Sequence, residues 1–590
     1  MTIIICEKRQ EILDATGHVL VLGGPGSGKT TIALKKAVQQ IDQGLQPGQS
    51  ILFLSFSRAA VARIGEASKA EVAKLKRHQL SIQTFHSFCW ELLRSHGYLV
   101  GCPKRRLELL LPHDEKALSG GLKSPQKGQA HSAEWTAWQN EKNRLFNQEG
   151  KISFDQFAPK TAELLRRCPL ILEQVASRYP VIVVDEAQDT GSDAWSCIEV
   201  LSAHTQVICL GDLDQQIFDH LEGVGPERIQ HILDVLQPLR VDLGGDNNRS
   251  PGTEIAIFAN DILSANVRGA PYAGISRQMY HPQGDGSRRL RIALGQVYRL
   301  VRKATGKWPE SIAILAPGGS AVARASAALN GGIKPVRHKV LFDEAAALLS
   351  ARLAAFLLEP KVEANLRSDI AKCLEMLAAV RRTAGSKAAI ADSAKYLKWG
   401  QDVLHGKAAK TQLVLSIEAL IIGASAIELS GDPGWDWTQI KRLLRTSTQV
   451  EISRIAGDLD YLIAFNRGKR IASNLSDMWM EEGAYVRARE ALDNALMEDQ
   501  LLSGVDDLRG IHVMTIHKSK GKQFDAVIIV REGQAIGPHQ WQSTLVWRDD
   551  PAPYNRSRKI LRVGITRAKS HVLLLEPRYP SCPILTPHIL

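Results

Sequence analysis

The stretch GGPGSGKT at residues 23–30 fits the pattern G-x-x-x-x-G-K-[ST] at every fixed position, and it tolerates only one local frame. A buried strand must lead into it and a helix must leave it. Residues 18–22 (HVLVL) form the short apolar run of such a strand, and residues 31–40 carry the Ala, Leu and Lys of a helix. Gly23, Gly24, Gly26 and Gly28, with Pro25 and Ser27 between them, let backbone amides close round phosphate oxygens. The helix N-terminus behind them adds a partial positive charge. Lys29 can reach terminal phosphates, Thr30 can ligate Mg²⁺, and Thr31 continues the phosphate-side turn. Nucleotide binding is the first implication.

A chain of 590 residues exceeds one domain and fits about three to five at the usual size. Its net charge of +12 lies in the direction of a nucleic-acid partner, although charge alone does not separate that from a merely basic protein. The eight cysteines show no C-x-x-C pair and no His-rich spacing, which argues against zinc, iron–sulfur and disulfide frameworks. MTIIICEKRQ does not read as a signal peptide, and no apolar run approaches a bilayer span, so the expected location is cytoplasmic with no membrane partner.

Along residues 1–90, apolar runs at 18–22 and 50–54 alternate with helical patterns at 31–40 and 59–74, the rhythm of a parallel α/β sheet. Residues 91–175 turn polar and helical; Trp135 and Trp138, three apart, predict one packed helix face. The run 181–184 ends directly in Asp185 and Glu186, which places two carboxylates at a strand's C-terminal edge, where open α/β sheets bind ligands. Further strands are expected at 207–210, 312–315, 513–516, 527–530 and 571–575, with a mostly helical stretch over about 345–500. Helical excursions between α/β halves imply insertions.

Taken in order, GGPGSGKT (23–30), SFSRAA (55–60), TFHSFC (84–89), VDEAQD (184–189), GDLDQQIF (211–218), NNRS (247–250), TIHKSKGKQFD (515–525) and VGITRAK (563–569) resemble the motif series of superfamily 1 helicases of the UvrD/Rep type. The resemblance implies an α/β fold of two RecA-like parallel-sheet lobes, each with a mostly helical inserted subdomain. The implied layout is lobe 1A at 1–90 and 176–245, insert 1B at 91–175, lobe 2A at 246–345 and 501–590, and insert 2B at 346–500. ATP with Mg²⁺ would bind between the lobes, and single-stranded or tailed duplex DNA would cross their top.

The chemistry asked of these residues follows from phosphoryl transfer to water, which needs a metal, an oriented nucleophile and charge neutralisation. Asp185 would hold Mg²⁺ with Thr30, and Glu186 would polarise the attacking water. By resemblance, Gln215 senses the γ-phosphate, Arg249 and Arg567 serve as arginine fingers, and Gln10 reads adenine. The blocks that touch DNA in the family carry Phe56, Thr84, His86, Phe218, Thr515 and His517, and His220 aligns with a DNA-stacking aromatic. Hydroxyls, imidazoles and aromatic rings would make a largely sequence-independent track.

The pattern also departs from the family. Asn248 replaces the usual adenine-stacking tyrosine, His220 the larger stacking aromatic, and Gln523 the glutamate of the fifth block. Residues 555–559 are basic where an acidic run is usual. The implied activity is an ATP-dependent 3′–5′ translocase or helicase. The alternative is a DNA-stimulated ATPase serving as sensor or regulatory subunit beside a nuclease, in a repair or anti-phage defence complex.

Overall fold

The apolar runs become the inner strands of two parallel sheets. The computed structural model describes residues 4–55, 58–103, 107–122, 124–125, 131–212, 224, 226–244, 250, 252–281, 286–331, 334–341, 345–407, 411–460, 469–501, 508–537, 540–547 and 550–588. Phe56, Gln215, Phe218, His220, Asn248 and Arg249 lie outside the described residues.

In the first sheet, β1 (Val19–Leu22), β2 (Ile51–Ser55), β3 (Leu80–Thr84), β4 (Val181–Val184), β5 (Gln206–Gly211) and β6 (Leu239–Asp242) lie in the order β3-β2-β4-β5-β1-β6. Every pairing is parallel. β1, β2 and β4 are buried along their whole length, as strands covered on both faces must be, which is why they read as continuous apolar runs. The Lys29–Gly44 helix packs Ile32, Ala33, Leu34, Ala37 and Ile41 onto that sheet.

The second sheet contains β7 (Ile275–Tyr280), β8 (Ser311–Ala316), β9 (Lys339–Leu341), β10 (Gly510–Thr515), β11 (Phe524–Val530) and β12 (Ala568–Pro577), in the order β9-β10-β8-β11-β12-β7. It too is parallel throughout. β8 and β10 are neighbours in register from Ser311↔Gly510 to Ala316↔Thr515, although about 200 residues of chain separate them. That separation marks residues 342–502 as an excursion from the sheet.

The chain divides into two compact units. Residues 1–100, 157–341 and 503–590 form the first, which holds both sheets. Residues 101–156 and 342–502 form the second, so both excursions share one body. Its centre is the Ala345–Leu358 helix, whose Leu349, Leu353, Phe356 and Leu357 are buried on several faces. Arg352 on that helix donates to both oxygens of Asp114, at 2.5 and 3.0 Å, and to Asp493 at 2.9 Å. In the same unit Trp138 packs with Leu110 and Leu145 while Trp135 lies against that cluster, the packed face expected of this pair. Among the described residues no helix is long and apolar enough to cross a membrane.

Candidate functional site

The site grows from the C-terminal edge of the first sheet. After β1 the loop turns on Gly26 and Gly28, both at φ near +90°, a conformation that a Cβ would strain. Gly28 caps the Lys29–Gly44 helix, so that helix aims its free amides into the loop. A Cβ at Gly23 would meet Ser27 Oγ at 2.7 Å. Lys29 Nζ donates to the carbonyls of Gly23 at 2.6 Å and Gly24 at 3.1 Å, which holds its charge at the loop mouth. Beneath the loop, buried Arg9 donates to the Ser27 carbonyl at 3.1 Å and to that of Ile4 at 2.7 Å. Gln10, by contrast, is exposed and donates to Asp14 at 2.9 Å.

Asp185 and Glu186 leave the end of β4, where the Asp185 amide donates to Leu54 O at 2.8 Å. Asp185 is buried, its Oδ2 accepts no hydrogen bond, and the Arg63 guanidinium lies 3.8 Å from that oxygen. Burial, then the neighbouring Glu186 charge, pushes its carboxyl above the usual range. Glu186 adopts the left-handed region at φ 55°, a conformation that a non-glycine residue rarely takes. Burial would raise its carboxyl too, but Lys520, Lys29, the Gln188 amide and Arg567 together hold it below the usual range.

Gln188 joins three parts of this edge. Its amide nitrogen donates to Glu186 Oε2 at 2.6 Å and Asp189 Oδ2 at 3.3 Å, while its oxygen accepts from the Asp212 amide at 3.0 Å. Asp189 in turn pairs with Lys520, in the turn after β10. Arg562 Nη1 stands 4.0 Å from Asp212 Oδ1. Arg567 is buried just before β12, donates to Val563 O at 2.9 Å, and interacts electrostatically with Glu186 and Asp212. Burial lowers its pKa to about 10, so it stays a cation at neutral pH. Cations on segments that border strands of the second sheet, Lys520 after β10 and Arg562 and Arg567 before β12, thus converge on the carboxylates of the first.

Sequence reading placed Lys29, Asp185, Glu186 and Arg567, and these four do come together. It missed Arg9, Arg63, Gln188, Asp189, Lys520 and Arg562. Gln188 and Asp189 were visible inside VDEAQD and Lys520 inside TIHKSKGK, but nothing in a single sequence says which polar side chain of a block turns inward.

The nucleic-acid candidates show a repeated construction. Thr84 ends β3 and caps the Phe85–His96 helix, its Oγ1 accepting from the Ser87 amide at 3.0 Å. Thr515 ends β10, and its Oγ1 accepts from the Lys518 amide at 3.3 Å. Two residues later each strand has a histidine edge-on to an aromatic ring, His86 to Phe157 at 5.8 Å and His517 to Trp547 at 5.5 Å. Burial lowers His86 to about 4, so its imidazole is neutral near pH 7 and acts by hydrogen bonding or ring contact rather than by charge.

The residues fit a nucleotide-borne cation. Asp185 offers a buried carboxylate oxygen that accepts no hydrogen bond, and Thr30 sits on the adjoining loop's helix. Among the described residues no three His, Cys, Asp or Glu side chains converge into a cage, so such a cation would take its remaining ligands from phosphates and water.

Comparison with known proteins gives two family matches: the UvrD/REP helicase N-terminal domain over residues 6–132 and 107–226, and the UvrD-like helicase C-terminal domain over 439–576. The chain is similar to the ATP-dependent DNA helicase PcrA of Staphylococcus epidermidis, 22% identical over 634 aligned positions that cover 95% of this chain and 82% of that protein. It is also similar to the putative ATP-dependent DNA helicase YjcD of Bacillus subtilis, 22% identical, with 98% and 78% covered. DNA helicase II of Haemophilus influenzae is 28% identical over 299 positions, covering 44% of this chain and 40% of that relative.

Proposed function

Because this chain belongs to the UvrD/REP helicase family, we propose that it is an ATP-driven motor on single-stranded DNA, moving 3′ to 5′ and separating strands of tailed duplexes. One observation carries the reading: Lys520 and Arg567, from the second sheet, stand in charge interaction with Glu186 at the edge of the first. A triphosphate bound on the glycine loop would be completed by cations from the other sheet, so its presence would favour one arrangement of the two and its hydrolysis would release that bias.

In this reading the loop amides and Lys29 hold the phosphates. Glu186, kept ionised and oriented by Gln188, takes a proton from the attacking water, and Arg567 neutralises charge on the transferred group. Thr30 and Asp185 would hold Mg²⁺, which supplies charge neutralisation at the phosphate oxygens when bound. Gln215, Arg249 and Gln10 retain their assigned roles toward the γ-phosphate and adenine as part of the same proposal. Thr84, His86, Thr515 and His517, at strand ends of both sheets, would line the DNA track with Phe56, Phe218 and His220.

The test is ATP turnover with no nucleic acid, single-stranded DNA, duplex DNA and RNA, run beside strand displacement on duplexes with a 3′ or a 5′ tail. The proposal expects turnover to rise with single-stranded DNA and displacement from the 3′ tail alone. Turnover indifferent to DNA, or displacement from the 5′ tail, would overturn it.

A further inference from the structure

The Gly286–Thr305 helix and the turn after it carry seven cations and one acid within residues 286–310, so this short stretch holds half of the chain's net +12. Leu290, Ala293, Leu294, Val297 and Val301 bury one side of the helix. Arg289, Arg299, Lys303 and Lys307 are exposed, and among the described residues none of the four forms an ion pair. At the end of the row stands Trp308, 54% exposed, with the Arg302 guanidinium 4.4 Å from its ring centroid. Trp308 also lines an open cavity of about 750 Å³ where Lys307, Arg509 and Lys569 stand alongside Glu66, Glu310 and Asp525. A solvated charged face normally mixes both signs, whereas residues 286–305 carry cations and no carboxylate, and an exposed indole follows them.

The helix starts beyond the C-terminal end of β7 and returns to the start of β8. It therefore begins at the sheet edge where Thr515 ends β10 and runs to the opposite edge, since Thr515 pairs with Ala316 and Trp308 precedes Ser311. Five residue steps along β8, from Ser311 to Ala316, separate those edges, roughly 16 Å. Between Arg289 and Lys303 the cations span ~21 Å of helix, enough for several phosphates. Arginine and lysine offer donors only, and an exposed indole can stack on any base, the combination that binds single strands without sequence preference.

We propose that the outer face of the Gly286–Thr305 helix, ending in Trp308, is a second binding track for single-stranded nucleic acid, separate from the strand-end track and leading away from it. The motor reading supplies the source of the strand, and the track itself rests on charge and exposure.

The test uses the full chain and fluorescent thymidine oligonucleotides of about ten and about thirty nucleotides, lengths on either side of a single site. With Arg289→Gln, Arg299→Gln and Lys303→Gln combined, affinity for the long oligonucleotide should fall at least about tenfold, and its logarithmic salt slope should flatten by about two. Trp308→Ala should weaken the long oligonucleotide at least about fivefold. Binding of the short one, and turnover without DNA, should be unchanged in both variants. Equal affinity and slope for parent and variants on the long oligonucleotide would overturn the proposal, as would an equal loss on the short one. It would also fall if acidic polyglutamate lost affinity in the variants while the long oligonucleotide did not. If neither oligonucleotide raises ATP turnover in the parent chain, the motor reading fails, while the affinity measurements still decide the track.

Discussion

Gln188, an amide between Ala187 and Asp189, both donates and accepts, and its position gives it three partners at once. It steadies the Glu186 carboxylate, shares Asp189 with Lys520, and satisfies the Asp212 amide. Gln188→Ala would leave a buried carboxylate and a buried amide short of partners, so ATP turnover should drop about ten- to hundredfold while binding of a fluorescent ATP analogue changes little. Unchanged turnover would remove Gln188 from the account. A second residue reads through pH. Burial lowers His571 from 6.5 to about 4, with Ser276 Oγ 2.8 Å from its Nε2. The imidazole therefore takes a proton more readily in the unfolded chain, so stability is complete above about pH 6.5 and falls as pH drops toward 4, by up to ~3 kcal/mol. Urea unfolding at pH 7.5 and 5 should show this loss, and His571→Gln should reduce it; an equal pH dependence in both chains would contradict the assignment.

At the scale of elements, the strands that read clearly were those buried on both faces. Residues 181–184 match β4 end to end, and β1, β2, β5, β8 and β11 fall within two or three residues of their expected runs. β3, β6, β7 and β9 carry no such signal, because each lies at or beside a sheet edge with mixed exposure and few consecutive apolar residues. The GGPGSGKT and VDEAQD blocks were legible because the chemistry that the sequence implies for them fixes both residue type and spacing. Arg9, Arg63 and Lys520 were not, since the site groups they meet, Ser27, Asp185 and Asp189, lie 18 to more than 300 positions away and only the fold brings them close. In the second unit, the Ala345–Leu358 helix supplies Arg352 to carboxylates from both of its segments. Arg352→Ala would strand Asp114 and Asp493, lowering that unit's stability by about 2–3 kcal/mol in urea unfolding and hastening proteolysis within it. A change below about 0.5 kcal/mol would mean solvent already satisfies the pair.

For the molecule as a whole, both parallel sheets lie in one compact unit, and the two excursions, far apart in sequence, share another. In the proposed mechanism, carboxylates at one sheet edge and cations on segments of the other would make nucleotide chemistry depend on how the two sheets stand to each other, the requirement for turning hydrolysis into movement. In that mechanism Arg567 acts from the second sheet on a nucleotide held by the loop of the first. The most direct measurement is ATP turnover with saturating single-stranded DNA in the parent chain and in Arg567→Ala, together with ATP affinity. The account predicts that turnover falls at least about a hundredfold while affinity falls far less. Turnover in Arg567→Ala equal to the parent's, with or without DNA, would contradict it.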